Sequence, residues 1–222
     1  MDYIIYDKHI TSEILKNMNI VISDKATIGN NVKISAGVCL IGCVEIGDHV
    51  EIRENTIIEN SRIGNNVKIV SSYIENSVVG EYTEVGPFAH IHKGSAIAKH
   101  CRIGNFVEIK NSKIDDRTKI AHLTYVGDSV IGKNCNIGCG VVFCNYNGKI
   151  KQGCILKDNV FIGSNVNLVA PVVVEEGGYI AAGSTINCNV EKNEFAIARA
   201  KQVNKNNFKN PYLEKINSEK NL

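Results

Sequence analysis

From Ile28 to Ile186 an aliphatic residue returns at nearly every sixth position, and that beat constrains the chain more than any other feature. It runs "IGNNVK", "ISAGVC", "LIGCVE", "IGDHVE", restarts at Ile63 with a second "IGNNVK", and goes on through "IAKHCR", "IGNFVE", "IDDRTK" and "IAHLTY". A period of six suits neither an amphipathic helix nor an alternating strand. It suits a solenoid with three short strands per coil of about 18 residues, coils stacking at about 4.8 Å. The aliphatic heads then point inward, and Gly or small polar residues take the corners. The repeat therefore predicts an all-β fold, the left-handed parallel β-helix, which departs from the usual right-handed crossover. Its thin, regular layers need few large rings, in keeping with 6% aromatics and no Trp.

Three segments leave the beat. Residues 1–24 form an N-terminal cap, in which 7–19 place Ile10, Ile14, Leu15 and Met18 on one face of a short helix. Within the helical domain, 25–191, the stretch 143–161 carries extra residues and is expected to bulge out as a loop. The basic, polar tail, 192–222, is expected to be irregular.

A net charge of +2 gives no support for nucleic-acid binding, and no stretch approaches the roughly 20 apolar residues of a membrane span. With acids near the N-terminus and no leader pattern, the cytoplasm is the expected location. The eight cysteines include no C-x-x-C pair, and the C-x3-C pairs at 39/43 and 135/139 lack spaced partners for zinc. They read as reduced, small residues filling repeat positions.

The repeat turns spacing into position. His90 and Glu108 lie 18 apart and share a place in their units, as do His92 and Lys110. One short unit follows, so Tyr125 falls over Glu108, and His122 over Asn105. His, Glu, Lys and Tyr gathered over two or three coils form a surface suited to acid–base chemistry and anion binding, with Glu108 a candidate for the acid–base work. A lone His would read as a solvated corner, and His9, His49 and His100 are so assigned.

The motifs "GNFVEIK", "AHLTYVGDSVIGKNCNIG", "CNYNG", "VFIGSN", "LVAPV" and "IAAGSTI" resemble the acetyltransferase half of the bifunctional family that makes UDP-N-acetylglucosamine, a glucosamine-1-phosphate N-acetyltransferase. The likeness runs without gaps from about Val85 to Arg199. It implies that His122 is the catalytic base and that Lys110, Tyr125 and Asn136 hold the amino-sugar phosphate; Lys151 and His92 are also placed on the acceptor side. It implies acetyl-CoA contacts at Asn145, Tyr146, Ser164, Ala182 and Arg199, with Cys139 standing where the family usually has Ala. It also implies a homotrimer with active sites between subunits, acetyl-CoA as co-substrate, and no metal.

Two departures bear on the acceptor. His92 replaces the family's Arg, and an imidazole beneath Lys110 is disfavoured as a cation, which weakens a phosphate site. No Gly-rich nucleotidyltransferase loop occurs, so uridylyl transfer is not expected, and the Met1 start and cap suggest a complete single-function chain. Three alternatives stand beside glucosamine 1-phosphate acetylation: the same chemistry on another amino sugar or nucleotide-linked amino sugar, a zinc lyase requiring three converging His, and a non-catalytic assembly module.

Overall fold

The computed structural model describes residues 3–6, 11–213 and 216. Short parallel strands wind into a left-handed β-helix whose three faces are continuous sheets. Sheet A has 11 strands ending at Phe195–Ala196, sheet B has 10 from Val21–Ile22 to Thr185–Ile186, and sheet C has 9 from Thr27–Ile28 to Val173–Val174. The chain visits A, B and C in turn, so each coil contributes one strand to each face.

The six-residue beat is the cause. On sheet A, Ile52, Ile69, Val85, Ile103, Ile120 and Ile137 are in register one above another, and all are buried. Aliphatic side chains stacked at strand spacing leave little room for water, and each such burial contributes roughly 1.5–3 kcal/mol. Cys101, Cys135 and Cys154 are buried as well, and burial pushes the thiols of Cys101 and Cys154 up to about 11. They are inert filling, as the repeat suggests.

Corners close in two ways. One column of corner residues, Asn66, Tyr82, His100, Arg117, Asn134 and Asn159, takes left-handed backbone angles near φ +57°. Asn tolerates that conformation better than most residues, which explains its frequency at these positions. Beside the corners, buried hydroxyls clip successive coils together. Thr118 Oγ1 donates to the Gly132 carbonyl at 2.7 Å and accepts from the Cys135 amide at 3.0 Å. Ser112 donates to the Lys110 carbonyl and accepts from the Ser129 amide.

The ends and the insertion differ in detail from expectation. The N-terminal helix spans Ser12–Asn17, capped by Thr11, whose hydroxyl accepts from the Ile14 amide. Leu15 and Met18 pack against the core, whereas Ile14 is exposed and Ile10 lies outside the described residues. A strand the repeat does not announce, Tyr3–Ile5, pairs antiparallel with Lys33–Ser35. Strand pairing reaches beyond 25–191 at both ends, to Val21 and to Ala196, because those residues still present an alternating face to the last full coil.

The insertion is shorter than 143–161. Val142–Cys144, Ile155–Leu156 and Phe161–Ile162 all remain strands. Val130 pairs with Ile155, 25 residues on, where Lys113 pairs with Val130, 17 residues on, so eight extra residues are accommodated. They make a small antiparallel projection in which Tyr146 bridges Lys151 and Asn147 Oδ1 accepts from the amides of Lys149 and Ile150.

Candidate active site

His122 ends its sheet A strand, Lys119–His122, directly over Asn105. Its ring is exposed to solvent, and Nδ1 lies 2.6 Å from Asn105 Oδ1. With the carbonyl oxygen accepting, Nδ1 carries the hydrogen and Nε2 is left with the lone pair. The chain bends here because Leu123, φ +46°, turns the corner from sheet A to sheet B.

Above His122 the same corner repeats. The Gly140 amide donates to the His122 carbonyl, Asn165 to Cys139, and Gly183 to Ser164. His122, Cys139, Ser164 and Ala182 thus form one column along the A–B edge, rising roughly 14 Å over three coils. Arg199 closes its top, donating from Nη1 to the Ala182 carbonyl at 2.9 Å.

Around the corner, sheet B carries two further columns. The first stacks Tyr73, His90, Glu108 and Tyr125. The second places Glu59, Glu75, His92, Lys110 and Gly127 two residues further along the same strands. The counts of 18 and 17 residues therefore give the register correctly. Burial is the main cause that raises the Tyr125 phenol, which keeps it a hydrogen-bonding hydroxyl. Its Oη accepts from Asn145 Nδ2, which also donates to Asp128 Oδ2 at 2.6 Å. Gly127 permits this approach, since a Cβ there would lie 2.6 Å from Tyr125 Oη.

Several expected neighbours are placed elsewhere. His92 faces carboxylates rather than the Lys110 ammonium: Nδ1 is 3.0 Å from Glu75 Oε1 and Nε2 is 2.9 Å from Glu108 Oε1. Register fixes backbone neighbours, but charge decides which way a ring points. Glu108 accordingly joins His92 and makes no hydrogen bond to His122 among the described residues. Lys110 makes no ion pair among the described residues.

Asn136 opens its sheet A strand in register with Lys119, at the opposite end of the strand from His122, and so at another corner of the prism. Tyr146 and Lys151 sit exposed on the projecting loop. A groove of about 420 Å³ lies on sheet C among Ala96, Lys113, Val130 and Ile155, the face opposite the His122 corner. Glu75 and Asp128 were absent from the sequence-based candidates, although the same count one coil lower finds Glu75 beneath His92.

Two family models match. Residues 73–146 match the GMPPB C-terminal domain, and residues 25–60 match the bacterial transferase hexapeptide of six repeats. The bifunctional protein GlmU of Clostridioides difficile is 50% identical over 88% of this chain, and that of Thermodesulfovibrio yellowstonii is 50% identical over 82%. The chain is a hexapeptide-repeat protein similar to GlmU. It spans about 40% of the length of these relatives, 42% and 41% respectively, and matches their C-terminal half. Among solved structures, a UDP-N-acetylglucosamine acyltransferase of Arabidopsis is 16% identical with a TM-score of 0.42, covering 79% of this chain and 68% of that one. No helix among the described residues is long and apolar enough to cross a membrane.

Proposed function

We propose that the chain transfers the acetyl group of acetyl-CoA to the amine of an amino-sugar phosphate, glucosamine 1-phosphate being the acceptor that the GlmU relationship favours. The observation that carries this reading is the ordered column at the A–B edge. It has an exposed imidazole at its foot, oriented by Asn105, and the residues assigned to CoA directly above it.

The chemistry follows from the atoms available. An amine attacks a thioester carbonyl through its nitrogen lone pair, so a proton must leave as the C–N bond forms. Nε2 of His122 accepts that proton as the general base. The C–S bond then breaks, and the proton passes to the departing thiolate. The Cys139 amide, one coil above His122 and donating to no other group among the described residues, is available to the oxyanion. Lys110 supplies a cation and Tyr125 a hydroxyl to the acceptor, with Asn145 holding the phenol in place. Ser164, Ala182 and Arg199 line the path of the CoA arm, flanked by Asn145 and by Tyr146 of the projecting loop, whose Lys151 serves the acceptor side.

The reading also calls for a homotrimer. Asn136 and His122 occupy different corners of one prism, so a joint role for them requires a second chain. Val203, Phe208 and Tyr212 of the tail are exposed at 77%, 72% and 67%, apolar surface that a neighbouring subunit would cover.

A second acceptor class has its own support. His92, pinned between Glu75 and Glu108, offers little to a phosphate, which favours an acceptor without phosphate at that position. Thiol release from acetyl-CoA, measured across amino sugars with and without a 1-phosphate, separates the two. The first reading expects glucosamine 1-phosphate to give the highest kcat/KM. Preference for an unphosphorylated or nucleotide-linked sugar supports the second, and no thiol release with any amine sinks both.

A further inference from the structure

On sheet B, one coil below Lys110, the acceptor-side candidate His92 converges with His90 and Glu75 in a way the acetyl-transfer reading does not use. His90 and His92 flank the buried Ile91 and so emerge on the same face of the strand. Glu75 lies one coil below. Its Oε1 is 3.0 Å from His92 Nδ1 and 3.6 Å from His90 Nε2, and all three ligand atoms fall within 4.8 Å of one another. We infer that Glu75, His90 and His92 form a binding site for a divalent cation of the zinc class, one coil beneath Lys110.

Four observations carry this. The spacing is right: tetrahedral coordination at about 2.0–2.1 Å sets ligand atoms roughly 3.3 Å apart, between the two separations seen. The donor set is right, since two imidazoles and one carboxylate suit zinc and other first-row divalent ions rather than calcium or magnesium. His90 Nε2 is sealed from solvent and has no hydrogen-bond partner, an arrangement that costs stability unless something else occupies its lone pair. Finally, His92 is held as ligating histidines usually are, with its other ring nitrogen against a carboxylate: Nε2 donates to Glu108 at 2.9 Å, which leaves Nδ1 for the cation.

Charge and packing favour a cation as well. Three carboxylates face this patch, Glu59, Glu75 and Glu108, and the first is engaged with the Tyr73 hydroxyl at 3.0 Å. The His90 ring stacks on Tyr73 at 4.9 Å and on His92 at 3.6 Å, which keeps the two imidazoles together on one face. The zinc lyase raised by the sequence needs three histidines and is not what this cluster offers.

The test uses the full chain, stripped of metal and kept reduced, titrated with Zn2+ by calorimetry and with Co2+ by visible absorption. One saturable equivalent per chain is expected, with a cobalt spectrum free of thiolate charge transfer. His90→Ala, His92→Ala and Glu75→Gln should each remove that equivalent. Glu108→Gln, which spares the ligands, should weaken it about 10–100-fold. His100→Ala, an exposed histidine at a distant corner, should change nothing. Glu75→Gln is nearly isosteric, so it keeps the test decisive if a histidine variant does not fold. Absence of saturable binding overturns the proposal, as does binding unaltered by these variants or a thiolate signal that persists in them. Metal occupancy is read directly, so the result is independent of whether acetyl transfer is observed.

Discussion

A single ring shows how much depends on side-chain direction. His92 stands in the column of Lys110, yet its two nitrogens are taken by Glu75 and Glu108. An arginine placed there would meet the same two carboxylates, so its charge would be spent before a phosphate arrived. A charge-assisted pair with phosphate is worth roughly 1.5–3 kcal/mol, or about 10–150-fold in affinity. His92→Arg alone is therefore expected to lower the KM for glucosamine 1-phosphate by less than about tenfold. Combined with Glu75→Gln it should do better, because one competing carboxylate is gone. Steady-state kinetics on both variants checks this, and a full gain from the single substitution would contradict the carboxylate cage. That cage marks the limit of what the sequence discloses. Counting residues puts Glu108 over His90, Tyr125 over Glu108 and His122 over Asn105, because coil length is set by the inward aliphatic heads. It does not say that His92 turns toward Glu75, since that choice is made by charge after the backbone is fixed.

At the level of single elements, the corners rather than the strands carry the specific interactions. Strands of two or three residues bring little pairing each, and the buried hydroxyls secure one coil to the next. Thr118→Val keeps the shape of the side chain but leaves the Cys135 amide and one bond of the Gly132 carbonyl unmade. Each buried group so orphaned costs about 1–3 kcal/mol, so a loss of roughly 2–6 kcal/mol in unfolding free energy is expected. Chemical denaturation followed by circular dichroism measures it, and a change below about 0.5 kcal/mol would show that the clip is unimportant. Elements outside the beat were the least legible. Tyr3–Ile5 pairs antiparallel with Lys33–Ser35 through backbone groups, which no hexapeptide announces. The insertion is shorter than its sequence suggests because "FCNYNG" and "GCILKDNVF" hide their strand residues among loop-forming neighbours, though Ile155 and Leu156 are back in register.

For the whole molecule, the decisive question is whether one prism is enough. Asn136 lies on the strand next to that of His122, at the opposite end, and the tail presents Val203, Phe208 and Tyr212 without cover. Cyclic closure of three chains answers both, since a heterologous contact that closes leaves no copy unsatisfied. Light scattering at micromolar concentration should return three times the 24.3 kDa of one chain, and a monomer mass would remove the shared site along with the trimer. The central claim nevertheless rests on one atom, Nε2 of His122, as the group that takes the proton when the amine attacks. Turnover and CoA affinity measured side by side for His122→Ala address it most directly. Turnover should fall about 10²–10⁴-fold, the range for loss of a general base, with CoA affinity nearly unchanged because the column above the imidazole is intact. A variant that retains more than half of the wild-type turnover would contradict it.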